Sequence, residues 1–92
     1  MFTLKIDREV KNIFRHLPPV RKHNVKEALR SLVSDPRQGK ALQESLSGLY
    51  SCRVGTLRII YLIKRKTIHV IALGPRYSIY KELEKSRTHR SQ

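Results

Sequence analysis

Acidic residues are scarce in this chain and are missing from one long stretch of it. The 92 residues include 7 Asp and Glu against 20 Lys and Arg, which gives a formal net charge of +13. No acidic residue occurs between Ser45 and Lys81, but six cations do: Arg53, Arg58, Lys64, Arg65, Lys66 and Arg76. A charge imbalance of this size predicts a nucleic-acid partner, an acidic protein partner, or both.

Three further absences narrow the class of protein. A single cysteine, Cys52, excludes an internal disulfide and is typical of a reducing, cytosolic compartment. No apolar run approaches the ~20 residues of a membrane span, and the N-terminus lacks the pattern of a signal peptide. The four histidines show no metal-ligand spacing, and the glycines fall at predicted turns rather than in a phosphate-binding loop. We therefore expect a cytoplasmic protein that uses no metal and no cofactor.

Hydrophobic periodicity predicts one α+β domain over residues 1–85 and a flexible polar tail over 86–92. A first strand over 2–6 precedes two helices that meet at Pro18-Pro19, which predicts an antiparallel helical hairpin. Three strands follow as an antiparallel meander, with predicted bounds of 49–54, 57–64 and 67–73, and a short helix is predicted over 77–84. The helices should cover one face of the sheet and leave the other face at least partly open.

The arginines of the meander fall on the predicted open face. Alternation along a strand places Ser51 and Arg53 on one side and Tyr50 and Cys52 on the other. Arg58 alternates with apolar neighbours in the next strand and should join Ser51 and Arg53, while Arg76 follows the third strand near the same rim. These arginines are either solvated strand residues or a cationic binding surface, because a buried unpaired guanidinium is prohibitively costly. Their clustering favours a surface that binds the phosphate backbone of RNA or DNA.

Several segments resemble the RelE/ParE superfamily, the toxins of bacterial and archaeal toxin–antitoxin pairs. The resemblance runs from about residue 2 to residue 84 and is carried by LSGLYSCRVG over 46–55, LRIIYLI over 57–63 and GPRYSIY over 74–80. The combination of GLYxxRVGxxRIIY with a later GxRxxxY is more specific than either half alone. This resemblance implies a RelE-like fold, with the order predicted above: a first strand, a helical hairpin, a three-stranded meander and a short last helix.

The RelE branch of the superfamily cleaves messenger RNA in the ribosomal A site without a metal. The 2′-hydroxyl attacks the adjacent phosphate, which leaves a 2′,3′-cyclic phosphate and a free 5′-hydroxyl and so inhibits translation. The resemblance implies that Arg58 contacts the scissile phosphate and that Arg76 is a phosphate clamp or a general acid. It further implies that Tyr80 stacks on a base and that Arg53 is a second cation, so these four form the predicted catalytic set.

One position departs from the family pattern and leaves the general base open. Some RelE enzymes carry lysine where this chain has Ser51 and Arg53, and neither serine nor arginine is a good base at neutral pH. Lys40, Lys81, His69 or the ribosome are the alternatives for that role. Positioning and charge stabilisation alone predict a slow nuclease.

Further cations complete the predicted RNA-binding set: Lys26, Arg30, Lys40 and Lys81, together with Ser51. The basic face of the second helix, which includes Lys26 and Arg30, either docks on ribosomal RNA or only keeps the protein soluble. An acidic antitoxin that neutralises the arginine surface is the expected partner, in a toxin–antitoxin hetero-oligomer, with mRNA and the ribosome as targets. The alternative functions are a ParE-like inhibitor of DNA gyrase and a basic nucleic-acid-binding module without catalysis.

Overall fold

One five-stranded sheet organises the computed structural model, which describes residues 2–90, with the side chains of 2–76 and 78–85. In chain order the elements are β1 (Thr3–Ile6), α1 (Arg8–Arg15), α2 (Pro19–Ser34), β2 (Lys40–Ala41), a 3₁₀ turn (Glu44–Leu46), β3 (Tyr50–Val54), β4 (Leu57–Lys64), β5 (Thr67–Pro75) and α3 (Arg76–Arg90). None of the three helices described within 2–90 combines the length and apolar character needed to cross a bilayer.

The strand order of the sheet is β1-β5-β4-β3-β2. The predicted meander of β3, β4 and β5 is confirmed, and its strands pair antiparallel. The first strand lies parallel to β5 at one edge, because α1 and α2 carry the chain across the sheet before the meander begins. At the other edge the two-residue strand β2 pairs with β3, an addition that the sequence did not predict.

Gly55 allows the tight turn of the β3–β4 hairpin, and Asp7 anchors the start of α1. Gly55 adopts a φ of 61° in the turn between β3 and β4, a conformation that glycine accepts without steric cost. Asp7 is the N-cap residue of α1, but its side chain does not cap the helix. Instead its Oδ1 lies 2.6 Å from Nε2 of His69, which ties the start of α1 to β5.

The main core lies between the sheet and the pair of helices α1 and α2. Every second residue of β4 points into it, and Val25 and Leu32 of α2 are buried against that face. Tyr61 is fully buried in the same core and stacks on Tyr50, with ring centroids 5.5 Å apart. These helices cover one face of the sheet, as the sequence predicted.

The other face is less open than the sequence suggested. Ile79 of α3 packs there against Ile60, Leu46 and Leu49 and forms a second, smaller core. The helix also extends to Arg90, beyond the end predicted at Glu84 and into the segment predicted as a tail, of which residues 91 and 92 lie outside the described part. The second face is therefore half covered by a helix, and what remains beside that helix is a groove.

Candidate functional site

A groove with a volume of about 610 Å³ lies on the sheet face that α3 half covers. We call it the arginine groove. It is lined by Arg53, Arg58, Arg76, Tyr80, Ser51 and Lys40, which come from β2, β3, β4 and α3. Its remaining lining residues are Gln38, Gly39, Leu42, Gln43, Leu46, Cys52 and Glu84.

The sheet contributes two arginines that face each other across neighbouring strands. Arg53 of β3 and Arg58 of β4 are direct partners in the antiparallel register, so their side chains leave the same face of the sheet. Arg53 is exposed and Arg58 is half-buried. Two like charges opposite one another destabilise a strand pair, and this cost falls when an anion binds between them.

Helix α3 contributes a row of three side chains at four-residue intervals. Arg76, Tyr80 and Glu84 all line the groove, as expected for residues that share one face of an α-helix. The row places a cation, an aromatic ring and a carboxylate in order along the groove wall. Because α3 begins directly at the end of β5, Arg76 is fixed close to the sheet arginines.

A hydrogen bond connects the helix wall to the sheet floor. The hydroxyl groups of Ser51 and Tyr80 lie 2.8 Å apart. Ser51 is only 7% exposed, so its side chain orients Tyr80 rather than presenting a free hydroxyl to a ligand. Tyr80 also packs beside the second core, so its ring is held at both ends.

The positive charge of the arginine groove is largely uncompensated. Among the side chains described in 2–76 and 78–85, the close contacts between a basic and an acidic group are Arg30 with Glu27 and His69 with Asp7, and neither involves a groove residue. Burial raises the pKa of the Cys52 thiol, and the nearby Arg58 charge offsets this only in part. Cys52 is therefore a neutral thiol at physiological pH and does not cancel the arginines.

Tyr61 holds one wall of the groove from the opposite side of the sheet. Its hydroxyl donates to the carbonyl of Pro36 at 2.7 Å and accepts from the amide of Gly39 at 3.1 Å. A side chain at Gly39 would collide with that hydroxyl, so glycine is required where the loop crosses the Tyr61 ring. The loop then positions Gln38 and Lys40 at the groove.

A second groove, with a volume of about 490 Å³, lies on the main-core face between the sheet and the two N-terminal helices. We call it the apolar groove. Its floor is apolar and includes Phe14, Leu29 and Val70. Four cations also line it: Lys11, Arg15, Lys22 and Lys26.

The structure brings together only part of the predicted site. Arg53, Arg58, Arg76, Tyr80, Ser51 and Lys40 share the arginine groove, whereas Lys26 borders the apolar groove and Arg30 pairs with Glu27 at 3.2 Å. Lys81 is exposed on α3 but does not line the groove, and His69 is engaged with Asp7. Two of the four alternatives for the base, Lys81 and His69, therefore lie outside it.

The sequence interpretation missed Gln38, Gln43 and Glu84, which also line the arginine groove. Gln38 and Gln43 lie in irregular segments that carry no periodic signal. The signal for Glu84 was present, since it follows Tyr80 by four residues and Arg76 by eight. It was not recognised because the helix was predicted to begin at residue 77, which left Arg76 outside it.

A sequence model of the ParE toxin of type II toxin–antitoxin systems matches residues 1–80. The chain belongs to this family. It is a toxin of the RelE/ParE superfamily, which confirms the resemblance noted in the sequence. A comparison with curated proteins finds no significant match.

Solved toxin structures share the fold. The Mycobacterium tuberculosis RelBE2 toxin–antitoxin complex contains a chain that is 28% identical, with a TM-score of 0.71 over 82% of this toxin and 98% of that chain. The isolated E. coli RelE toxin is 22% identical, with a TM-score of 0.71 over 94% and 98% of the two chains. The archaeal RelE–RelB complex from Pyrococcus horikoshii OT3 is 25% identical, with a TM-score of 0.68 over 82% and 94%. The predicted RelE-like fold is thereby confirmed.

Proposed function

We propose that this toxin is a ribosome-dependent endoribonuclease that cleaves messenger RNA and arrests translation. The observation that carries the proposal is the convergence of Arg53, Arg58, Arg76 and Tyr80 in one open groove. Three guanidinium groups and an aromatic ring match two of the three parts of a nucleotide, its phosphate and its base. No metal is required, because the arginines supply the positive charge that a metal would otherwise bring.

The chemistry follows from where the arginines lie. Attack of the 2′-oxygen on phosphorus builds negative charge on the non-bridging phosphate oxygens, and preorganised cations stabilise that charge. Arg53 and Arg58 approach the phosphate from the sheet, while Arg76 approaches from the helix. Guanidinium groups suit this task because they donate two parallel hydrogen bonds to a phosphate and do not lose their proton.

Tyr80 supplies the contact to a base. An exposed base stacks on an aromatic ring with about 1–3 kcal/mol of stabilisation. The hydrogen bond to Ser51 fixes the ring before RNA arrives, so less entropy is lost on binding. Ser51 thus acts as a support for Tyr80 in this toxin, at a position where the resemblance leads one to expect a lysine.

The test is to express the toxin in cells and map mRNA 5′ ends on ribosomes. Cleavage within codons that leaves 5′-hydroxyl ends is the expected result, and the double variant Arg58→Ala/Arg76→Ala is the matched control that should produce none. A toxin that arrests growth without new mRNA ends would contradict the nuclease proposal. A chain that only retards RNA in a gel would be the non-catalytic binding module.

A second candidate is inhibition of DNA gyrase. The observation that favours it is the family match itself, since the matching model describes the ParE toxin of parDE systems. A supercoiling assay with purified gyrase separates the two candidates. Loss of supercoiling with intact mRNA would identify the toxin as a gyrase inhibitor. Normal supercoiling with cleaved mRNA would identify it as a nuclease.

We also propose an acidic antitoxin as the partner that neutralises the arginine groove in the cell. Several structurally similar proteins were solved as toxin–antitoxin complexes, among them those from Mycobacterium tuberculosis, E. coli and Methanococcus jannaschii. The arginines of the groove have no acidic partner among the described residues, so they would attract an acidic segment of the antitoxin. Such an assembly should dissociate more readily as salt concentration rises.

A further inference from the structure

We propose that Glu84 is the proton acceptor for the attacking 2′-hydroxyl in the arginine groove. This inference rests on the proposed nuclease function and assigns the general base, a role in it that remained without a residue. It starts from the titratable side chains that line the groove, which are Lys40, Cys52, the three arginines, Tyr80 and Glu84. A base for this step must hold a free lone pair at neutral pH.

Elimination on chemical grounds leaves Glu84. Arginine stays protonated in proteins, and lysine and tyrosine side chains ordinarily carry their proton at neutral pH. Burial raises the pKa of the Cys52 thiol, which keeps that group protonated as well. A carboxylate is an acceptor-only group at neutral pH, and among the described residues Glu84 is the one carboxylate that lines the groove.

The position of Glu84 on α3 fits this role. It follows Tyr80 by one helical turn and Arg76 by two, all three lining the same groove. Eight residues of α-helix rise about 12 Å, so a nucleotide stacked on Tyr80 has the Arg76 cation on one side and the Glu84 carboxylate on the other. Glu84 is exposed and has no ion-pair partner among the side chains described in 2–76 and 78–85, so its oxygens are available to a ligand.

Glu84 takes the 2′-hydroxyl proton as the 2′-oxygen forms a bond to phosphorus, and the bond from phosphorus to the 5′-oxygen breaks. The electron pair of that bond leaves on the 5′-oxygen, which takes a proton from solvent water, giving a 2′,3′-cyclic phosphate and a 5′-hydroxyl. Glu84 then returns its proton to solvent, to which it is open.

The test compares Glu84→Gln with Glu82→Gln in single-turnover cleavage of ribosome-bound mRNA across a pH series. Both variants remove one exposed negative charge from α3, but Glu82 does not line the groove. Glu84→Gln should lower the cleavage rate about 100-fold or more at neutral pH and abolish the rise in rate with pH. Glu82→Gln should keep both the rate and the pH profile of the wild-type toxin.

A measurement of affinity for the mRNA-programmed ribosome distinguishes a catalytic role of Glu84 from a general effect of its charge. Removing an acid from a cationic groove should leave affinity for the mRNA-programmed ribosome unchanged or tighter, so the rate and the affinity of Glu84→Gln should move apart. The proposal is overturned if Glu84→Gln cleaves within threefold of Glu82→Gln. It is also overturned if its loss of rate equals a loss of affinity, or if only its codon preference changes.

Failure of the underlying function has a different signature. If the wild-type toxin does not cleave ribosome-bound mRNA at all, the nuclease proposal and the role of Glu84 fall together. If the wild type cleaves and Glu84→Gln cleaves within threefold of Glu82→Gln, only the role of Glu84 falls.

Discussion

The arginine groove and the apolar groove lie on opposite faces of one sheet. The apolar groove is continuous with the main core, and the sheet residues that line it, among them Ile59, Val70 and Leu73, are buried in that core. The arginine groove sits beside a smaller core and carries three arginines and a lysine on a surface that neither apolar packing nor ion pairing with described residues explains. The residues that stabilise the fold therefore lie on the face of the apolar groove, and those that are available for binding lie in the arginine groove.

Strand alternation produces this contrast from a single stretch of sequence. In β4, Leu57, Ile59 and Tyr61 face the main core, while Arg58 faces the arginine groove. Adjacent positions in one strand therefore carry different tasks. A substitution at Ile59 should lower the free energy of unfolding, whereas one at Arg58 should lower RNA cleavage.

The largest expected effect is on the cleavage rate of the Arg58→Ala and Arg76→Ala variants. Loss of one preorganised donor to a developing oxyanion costs about 100- to 1,000-fold, so each variant should lose cleavage by that factor in a reconstituted ribosome assay. Lys26→Ala, at the edge of the apolar groove, is the matched control and should cleave normally. Full activity in both arginine variants would break the assignment of the groove.

The reverse pattern is expected on the core side. Leu32 is fully buried, and Leu32→Ala should lower the free energy of unfolding by about 2–5 kcal/mol, measured by urea denaturation. The folded fraction should still cleave at the wild-type rate. Val20→Ala is the control because Val20 is 72% exposed, and its unfolding midpoint should barely move. A Leu32→Ala variant that folds normally but fails to cleave would mean that the two faces are coupled.

Tyr61 is the residue at which the two sides meet. Tyr61→Phe removes the hydroxyl that binds Pro36 and Gly39, so stability should fall by about 1–3 kcal/mol. Cleavage should fall as well, because the loop that carries Lys40 loses its anchor. Tyr61 is thus a residue of the main core that is expected to change both properties.

Alkaline pH tests the same residue without a mutation. Burial raises the pKa of the Tyr61 phenol above its ordinary value of about 10, and the Gly39 amide only partly offsets this. The contribution of Tyr61 to stability is therefore fully present below pH about 10 and is lost as pH rises toward the raised pKa. Unfolding midpoints between pH 8 and 11 should decline more steeply for the wild type than for Tyr61→Phe.

Much of the fold could be predicted because its signals are local. The bounds of β4 were predicted to the residue, since alternation and the flanking turns define them, and Pro18-Pro19 marked the junction of α1 and α2. The short strand β2 was missed because two residues carry no periodicity and depend on pairing with β3. The parallel pairing of β1 with β5 joins residues more than sixty positions apart, a separation that no local signal spans.

The site was predictable only as far as strand alternation and the family motif extend. Arg53 and Arg58 could be placed on one face from sequence, but their direct pairing depends on strand register. The contact between Ser51 and Tyr80 could not be foreseen, because it depends on how α3 lies across the sheet. Lys26 and Arg30 were grouped with the site on charge alone, and charge does not specify which face a helix presents.

The smallest expected effect is that of Tyr80→Phe, which keeps the ring and removes the hydroxyl. If stacking is the task of Tyr80, cleavage should fall only a few-fold, because the ring still contacts the base. The free energy of unfolding should fall by about 1 kcal/mol, since the buried Ser51 hydroxyl loses its partner. Ser51→Ala is the matched control, and the double variant should cost no more than the worse single one, because both remove the same hydrogen bond. A loss of cleavage above 100-fold in Tyr80→Phe with a mild effect in Ser51→Ala would instead assign the hydroxyl itself to the chemistry.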